Sequence, residues 1–444
     1  MKRRKLTHIQ IIALGFFIII LTGSLLLMLP ISSADGTFTS PVSAVFTATS
    51  ASCVTGLIVV NTATHWSVFG KCVIISLIQL GGLGFMTIAT FFYRLVIKKH
   101  GLRERVIMAE SINTARLSDF SLLVKKIVFG TFIVEGIGAI LLSTRFIPRY
   151  GFLKGILFSI FHSVSAFCNA GFDILGETEP YCSLVPFYDD IIVNITIILL
   201  ILIGGIGFLV WDDITVCKFK FKRLSLHSKL AISVTAVLTV LGAVLFFIFE
   251  YNATCADMGL KERILTSFFN SVTPRTAGFN TVDTAAISDP SKILTMIYMF
   301  IGGSSGSTAG GVKTTTVIVL LGFAISSIRG KSDIHIFERK INTEIFKKAV
   351  LIVLINFSLA IFGTITISAI QDIPLTDIMF ETMSAIGTVG MTTGITRDLS
   401  TLSRIIIIFL MYCGRVGSIS FASALFQKRI KSPVSYPEEN ITVG

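Results

Sequence analysis

Four short stretches of small and polar residues, each ending in glycine, recur at nearly even spacing along the chain. Their last residues are Gly56, Gly171, Gly278 and Gly390, which lie 115, 107 and 112 residues apart. Such stretches offer few side chains, so a bound ligand would meet their backbone carbonyl oxygens. Rings of carbonyls replace the hydration shell of a cation, and glycine lets the backbone present them. The predicted cation-lining residues are Val54, Thr55, Gly56, Asn169, Ala170, Gly171, Thr276, Ala277, Gly278, Thr388, Val389 and Gly390.

A further polar stretch, residues 301–316, interrupts what would otherwise be one apolar segment. Its flanks, 293–300 and 317–325, are each too short to cross a bilayer, which takes about 20 helical residues. Non-helical backbone at membrane depth is tolerated only where protein or water surrounds it. Arg415 poses the same problem, because a charge in the middle of an apolar span costs roughly 2.5–3.5 kcal/mol. Both features predict a polar interior.

The composition indicates a protein with many membrane spans, and these spans must position the polar residues. Of 444 residues, 52% are hydrophobic and 14% are charged, and the mean hydropathy is +0.81, outside the range of soluble domains. The net charge of +12 does not indicate a nucleic-acid partner, because 26 of the 38 Lys and Arg residues fall in five clusters between or beyond apolar segments. These clusters are residues 2–5, 94–126, 218–229, 329–348 and 428–431. The positive-inside rule places all five, and both termini, in the cytoplasm.

Between consecutive basic clusters the chain repeats one pattern four times: a long apolar span, a short segment that ends in a glycine stretch, and a second span with mid-span glycines. The short segment is about a dozen residues, too short to span, so it must enter and leave on the outer side. The predicted fold class is therefore an all-α polytopic membrane protein with four parallel span, re-entrant loop, span repeats around a pseudo-fourfold axis. It has eight transmembrane spans, one of them broken. The predicted divisions are 1–100, 101–223, 224–335, 336–431 and a cytoplasmic tail, 432–444.

The sequence shows no pattern typical of an enzyme. No GxSxG, HExxH or GxGxxG motif occurs in a suitable context, and Val312 separates Gly311 from Lys313 where a phosphate-binding loop needs Gly-Lys. The seven cysteines are scattered without metal-ligand spacing. We predict no catalysis and no metal other than a transported ion.

The chain resembles the Ktr/Trk/HKT superfamily of potassium transporters, and most closely the bacterial KtrB/KtrD membrane subunits. The resemblance rests on the motifs TGL, NAGF, TAGF and TVGM within the repeats, and on PRTAGFN at residues 274–280. It implies potassium held at the glycine stretches as a selectivity filter, in the plasma membrane of a bacterium. In this family serine at the first filter glycine accompanies sodium transport, so Gly56 favours potassium.

The same resemblance implies partners. It suggests a homodimer in the lipid bilayer, with one pore in each protomer, on a cytosolic ring of KtrA/KtrC-like regulatory subunits. That ring, and not this chain, would bind ATP, ADP or NAD(H). Sodium is implied as an activating or coupled ion.

The stretch 301–316 lies in the second span of the third repeat, just below the predicted filter. A loop there that carries Lys313 and faces Arg415 would obstruct a cation, and its glycines would let it move aside. We predict an intramembrane gate, as the resemblance also implies. The gate residues are Gly302, Gly303, Gly306, Gly310, Gly311, Lys313 and Arg415.

Two other functions remain as alternatives. An alternating-access secondary cation transporter would be expected to show inverted repeats, whereas these repeats are parallel. A membrane enzyme would be expected to show clusters of acids or histidines at mid-span. Glu135, in the first span of the second repeat, is either an ion site or a buried helix-packing residue.

Overall fold

In the computed structural model, the described residues are 8–84 and 120–417, apart from residues 178, 219, 331, 332 and 334. This part of the chain is almost entirely helical. Its helices are α1 (His8–Met28), α2 (Pro41–Cys53), α3 (Thr62–His65), α4 (Val68–Leu83), α5 (Phe120–Tyr150), α6 (Phe152–Cys168), α7 (Ile191–Ile206), α8 (Phe208–Cys217), α9 (Leu226–Glu250), α10 (Leu260–Val272), α11 (Asp289–Phe300), α12 (Thr314–Ile328), α13 (Thr343–Ile370), α14 (Leu375–Gly387) and α15 (Thr401–Val416). One hairpin pairs β1 (His335–Ile336) with β2 (Arg339–Lys340), with His335 opposite Lys340.

The order long helix, short helix, second helix occurs four times in the described residues. The long helices α1, α5, α9 and α13 are the four that are long and apolar enough to cross a membrane, and α7 with α8 passes the same test as a bent pair. Each long helix leads into a short one, namely α2, α6, α10 or α14, and each short helix ends at a glycine stretch. These elements follow the predicted pattern. The division boundaries themselves stay predictions, and the tail 432–444 lies outside the described residues.

Helix starts are fixed by short polar side chains that accept hydrogen bonds from free backbone N–H groups. Asp190 accepts from Ile192 and Val193 at the start of α7, and Ser40 accepts from Ser43 at the start of α2, where Pro41 is the first helical residue. The other side-chain caps are Asn61 for α3, Ser67 for α4, Ser225 for α9, Asn342 for α13 and Ser400 for α15.

The second helices break at equivalent glycines. Gly84, Gly207 and Gly417 follow α4, α7 and α15 with φ of 80°, 105° and 90°, values that favour glycine. At Gly207 the chain turns by 91° into α8. The structure therefore adds a second break to the one that the sequence predicts in the third repeat, where α11 ends at Phe300 and α12 begins at Thr314.

The apolar side chains face outward from the long helices, and many polar ones face inward. Phe132 and Ile140 on α5 are 58% and 68% exposed, as expected of a surface against lipid, whereas the serines and threonines of the short helices are mostly buried. Buried hydroxyls need partners. The backbone at the glycine stretches supplies them for Ser50, Ser165 and Ser384.

Candidate ion pore between the four repeats

The four glycines that end the stretches form a closed ring. A Cβ atom built on Gly56 would meet the carbonyl oxygen of Ala170, and one on Gly171 would meet that of Ala277. The pattern continues from Gly278 to the Val389 carbonyl, and from Gly390 back to the Thr55 carbonyl. Each repeat thus lacks a side chain where the next repeat places a carbonyl. The four stretches surround a single axis, as the sequence predicts.

Each stretch contains residues in the left-handed backbone conformation. The residue after each of α2, α6 and α14 has a positive φ: 58° at Val54, 59° at Asn169 and 52° at Thr388. The ring glycines follow two residues later, with φ between 67° and 95°. Such conformations are unfavourable for residues other than glycine, so tertiary contacts must hold them.

Hydroxyl groups near the ends of the short helices provide some of these tertiary contacts. Ser50 Oγ accepts the Gly56 N–H at 3.0 Å, and Ser384 Oγ accepts the Gly390 N–H at 3.0 Å. Backbone bonds add to these: the Thr55 N–H donates to the Ser50 carbonyl at 2.8 Å. The sequence analysis did not identify these serines, although each lies six residues before its glycine.

The second and third stretches use their hydroxyls differently. Ser165 Oγ donates to the Phe172 carbonyl at 2.8 Å, and Thr273 Oγ1 donates to the Phe279 carbonyl at 2.5 Å. The third stretch is also one residue shorter, because Thr273 lies five residues before Gly278 whereas Ser165 lies six before Gly171, and its positive φ falls at Thr276. The ring keeps its pattern despite that missing residue.

All twelve predicted lining residues are thus brought together, and all are buried except Gly171, which is partly exposed. The Asn169 amide reaches the neighbouring third stretch, because one of its ends lies 3.3 Å from Thr276 Oγ1. In the orientation that satisfies both ends, its nitrogen donates to the carbonyls of Ala166 at 3.0 Å and Ile201 at 3.3 Å.

The mid-span glycines let the second helices approach the short ones. A Cβ on Gly81 would meet the Ser52 carbonyl, one on Gly204 the Phe167 carbonyl, and one on Gly414 the Ile386 carbonyl. These carbonyls belong to the last turns of α2, α6 and α14. Close packing here explains why glycine recurs at mid-span.

The predicted gate loop lies directly below the ring. A Cβ on Gly310 would meet Thr388 Oγ1, and one on Gly302 would lie 3.2 Å from Thr276 Cγ2. The loop is folded, because Ile301 pairs with Val312 and the Gly302 N–H donates to the Val312 carbonyl at 2.9 Å.

Thr308 attaches the loop to the second repeat. Its hydroxyl donates to the Phe167 carbonyl at 3.2 Å and its N–H to the Gly204 carbonyl at 3.3 Å. The Phe208 N–H, just past the bend at Gly207, donates to the Gly306 carbonyl at 2.8 Å. The bend in α7 is therefore part of the loop's docking surface.

Arg415 connects the fourth repeat to this loop. Its guanidinium donates to the carbonyls of Thr308 and Gly81, and to that of Gly82 at 3.3 Å. Three backbone acceptors from two other repeats thus satisfy a charge that α15 carries into the membrane. The sequence predicts the polar surroundings of Arg415 but does not identify these acceptors.

Lys313 turns back onto its own loop. Its ammonium donates to the carbonyls of Ala309 at 2.5 Å and Gly310 at 3.2 Å. The loop therefore carries a positive charge that is bonded to its own backbone. Together with Arg415 it places two positive charges below the ring.

Acidic groups lie near the other end of the ring. Burial raises the pKa of the Asp173 carboxyl to about 6, although the Leu175 N–H donates to it at 3.3 Å. Glu381, buried in α14, accepts from Thr392 at 2.7 Å and Thr396 at 2.5 Å, so it holds the segment that follows Gly390. Among the described residues, no group of three His, Cys, Asp or Glu side chains could hold a metal ion.

The arrangement can coordinate a bare cation by carbonyl oxygens but offers no nucleophile or general base on the axis. Comparisons with known proteins agree with this chemistry. Residues 2–433 match the family described as TrkH, cation transport protein.

Two relatives match over nearly their whole length. The potassium/sodium uptake protein NtpJ of Enterococcus hirae is 43% identical, over 100% of this chain and 98% of the relative. The Ktr system potassium uptake protein B of Bacillus subtilis is 40% identical, over 99% of this chain and 97% of the relative.

The crystal structure of the potassium transporter TrkH from Vibrio parahaemolyticus superimposes with a TM-score of 0.77 at 16% identity, over 96% of this chain and 86% of that one. This likeness confirms the predicted fold class, and the relatives confirm the resemblance noted from the motifs. The chain belongs to the TrkH family of cation transport proteins.

Proposed function

We propose that this chain takes up potassium across a bacterial plasma membrane, through a pore on the axis of the four repeats. The observation that carries the proposal is the ring in which each glycine faces the carbonyl of the next repeat. The names of both relatives, which include potassium uptake, support the choice of ion.

In this proposal the twelve lining residues form the selectivity filter. Backbone carbonyls replace the water around a potassium ion, and the hydroxyl and backbone bonds to the ring keep their spacing. The short helices α2, α6 and α14 end at the filter, so their partly negative C-terminal ends favour a cation there. Conduction through the filter needs no catalytic group.

The loop of residues 301–316 and Arg415 would form the gate. Two positive charges below the filter repel a cation, and the loop's backbone stands in the path. Ion flow would require Arg415 to release the Thr308 carbonyl and the loop to swing away from Gly204 and Phe167. The glycines of the loop make such a movement feasible.

Assembly and regulation are proposed from family resemblance. The chain would form a homodimer and bind a KtrA/KtrC-like cytosolic ring that carries ATP, ADP or NAD(H), with both termini on the cytoplasmic side. Sodium would act as an activating or coupled ion, and the name of the NtpJ relative, which includes sodium, supports this.

Complementation of a potassium-uptake-deficient bacterium tests the filter. Together with a regulatory subunit, the wild type should restore growth at low potassium, whereas Gly56→Ser and Gly390→Ser should weaken it because their side chains displace a facing carbonyl. Gly36→Ser is the matched control, since Gly36 also has a positive φ, 66°, but has no atom near its Cβ position. Failure of the wild type, or equal growth of all variants, would contradict the proposal.

A further inference from the structure

Glu135 is a carboxylic acid buried within a membrane-spanning helix. It lies midway along α5 and is 4% exposed. None of the ion pairs formed by the described residues includes it. An ionised carboxylate at this depth needs a positive partner or a set of strong donors.

The donors that reach the carboxyl group are few and uncharged. Gln79 Nε2, from α4, donates to Glu135 Oε2 at 3.2 Å. The Cys168 thiol, at the end of α6, lies 3.9 Å from Glu135 Oε1 and 3.6 Å from Gln79 Oε1. Ser163 donates to the backbone carbonyl of Glu135, and not to its carboxyl group.

These surroundings suit the acid form. The carboxyl group is buried, has no cationic partner among the described residues and accepts only from two uncharged donors, which is too little to stabilise an ionised carboxylate at this depth. We propose that Glu135 binds a proton, and that Glu135, Gln79 and Cys168 form a proton site behind the second filter stretch. When the medium becomes strongly alkaline, that proton passes to hydroxide and leaves a negative charge between repeats one and two.

The site is joined to both the filter and the gate. Cys168 immediately precedes Asn169, and a Cβ on Gly82 would lie 2.5 Å from Cys168 Sγ. The carbonyl of Gly82 accepts from Arg415 at 3.3 Å. A negative charge at Glu135 would therefore draw Arg415 away from the Thr308 carbonyl and favour an open gate.

The neighbouring helices offer few other charges. The titratable side chain that contacts the site is Cys168 on α6, and Arg415 on α15 is linked to it through Gly82. On α4, Lys71 donates to the Ala63 carbonyl, and α7 contains no acid or base. His162, also on α6, has Nδ1 at 2.7 Å from the Phe158 carbonyl and packs against Phe146, Phe161 and Phe279. Lys126, on the same helix as Glu135, pairs with Asp212.

Infrared difference spectroscopy on the purified full-length protein in liposomes tests the proton directly. Subtracting the Glu135→Gln spectrum from the wild-type spectrum at neutral pH should leave the carbonyl band of a protonated carboxyl group, and that band should vanish at strongly alkaline pH. A carboxylate band at neutral pH would overturn the proposal. Glu135→Gln should fold, because its amide oxygen can accept the same hydrogen bond from Gln79 Nε2.

Rubidium uptake by the same liposomes tests whether deprotonation of Glu135 opens the gate. This part of the inference rests on the proposed pore. Wild-type uptake should rise severalfold from neutral to strongly alkaline pH, while Glu135→Gln should match the wild type at neutral pH and show no rise. An equal alkaline rise in both proteins would overturn the link to the gate. Because the infrared measurement needs no transport, a failure of the pore hypothesis would remain distinguishable from a failure of the proton site.

Discussion

At the level of single residues, the proposed filter depends on serine hydroxyl groups and on glycines that have no side chain. Ser50 and Ser384 each lie six residues before a ring glycine and accept its N–H group. Glycine is required at the ring both for its positive φ and because the neighbouring carbonyl fills the place of a side chain. One hydroxyl per repeat can therefore control the spacing of the carbonyls.

Ser50→Ala should weaken discrimination between potassium and sodium. It leaves the buried Gly56 N–H without its acceptor, which costs about 1–3 kcal/mol, so the first stretch loses its fixed spacing. Rubidium uptake in competition with sodium, together with thermal unfolding, measures the effect. Ser52→Ala is the control on the same helix, because Ser52 Oγ has no hydrogen-bond partner; equal effects of the two variants would argue against the role of Ser50.

Among the helices, the second ones differ most between repeats. Two of them, α4 and α15, end at Gly84 and Gly417, and α7 bends at Gly207, whereas the third repeat inserts a folded loop between α11 and α12. That loop contacts the second and fourth repeats through Thr308 and Gly310, and the guanidinium of Arg415 links it to the first. Hydrogen bonds to the backbone of other helices hold the loop in place.

Removing either half of the proposed obstruction should raise ion flux. Deletion of residues 304–310 shortens the loop, and Arg415→Ala removes both a positive charge and the bond to Thr308. We expect each variant to take up rubidium faster than the wild type in liposomes and to respond less to the nucleotide-binding partner. Arg404→Ala is the control, since Arg404 lies on the same helix and donates to the Arg397 carbonyl. Flux that stays low and fully regulated would contradict the gate.

In the proposed function the whole molecule forms one ion site, because every repeat supplies a quarter of the ring. A bound ion would link all four repeats, so ligand binding and global stability should be coupled. The bend at Gly207, the acceptors of Arg415 and the glycine contacts all join different repeats. A substitution that disrupts the ring in one repeat should therefore lower the stability of the entire fold.

Potassium should stabilise the purified protein against unfolding. At a concentration about 100 times the dissociation constant, binding to the folded state alone would add about 2.7 kcal/mol. Thermal unfolding in potassium or rubidium chloride should occur at a higher temperature than in choline chloride of equal ionic strength. Gly390→Ser should reduce the difference. Identical unfolding of the wild type in potassium and choline would be inconsistent with a potassium site in the filter.

Several features could be predicted from the sequence because they follow from periodicity and solvation. Four apolar spans and four glycine stretches at even spacing predict parallel repeats, and the polar stretch 301–316 inside a span predicts a polar interior. The hydrophobic effect and the positive-inside rule act on segments, so they need no knowledge of which residues touch. Arg415 could be placed in a polar environment by the same argument.

Only the tertiary structure decided which atoms meet. The closed order of the ring, from Gly56 to Ala170 and back through Gly390 to Thr55, joins residues more than a hundred positions apart. The acceptors of Arg415 and the Gln79 partner of Glu135 are likewise on other repeats. A linear sequence determines which segments are buried in a membrane, but hydrogen bonds depend on distance and angle, which are set when the four repeats pack around one axis.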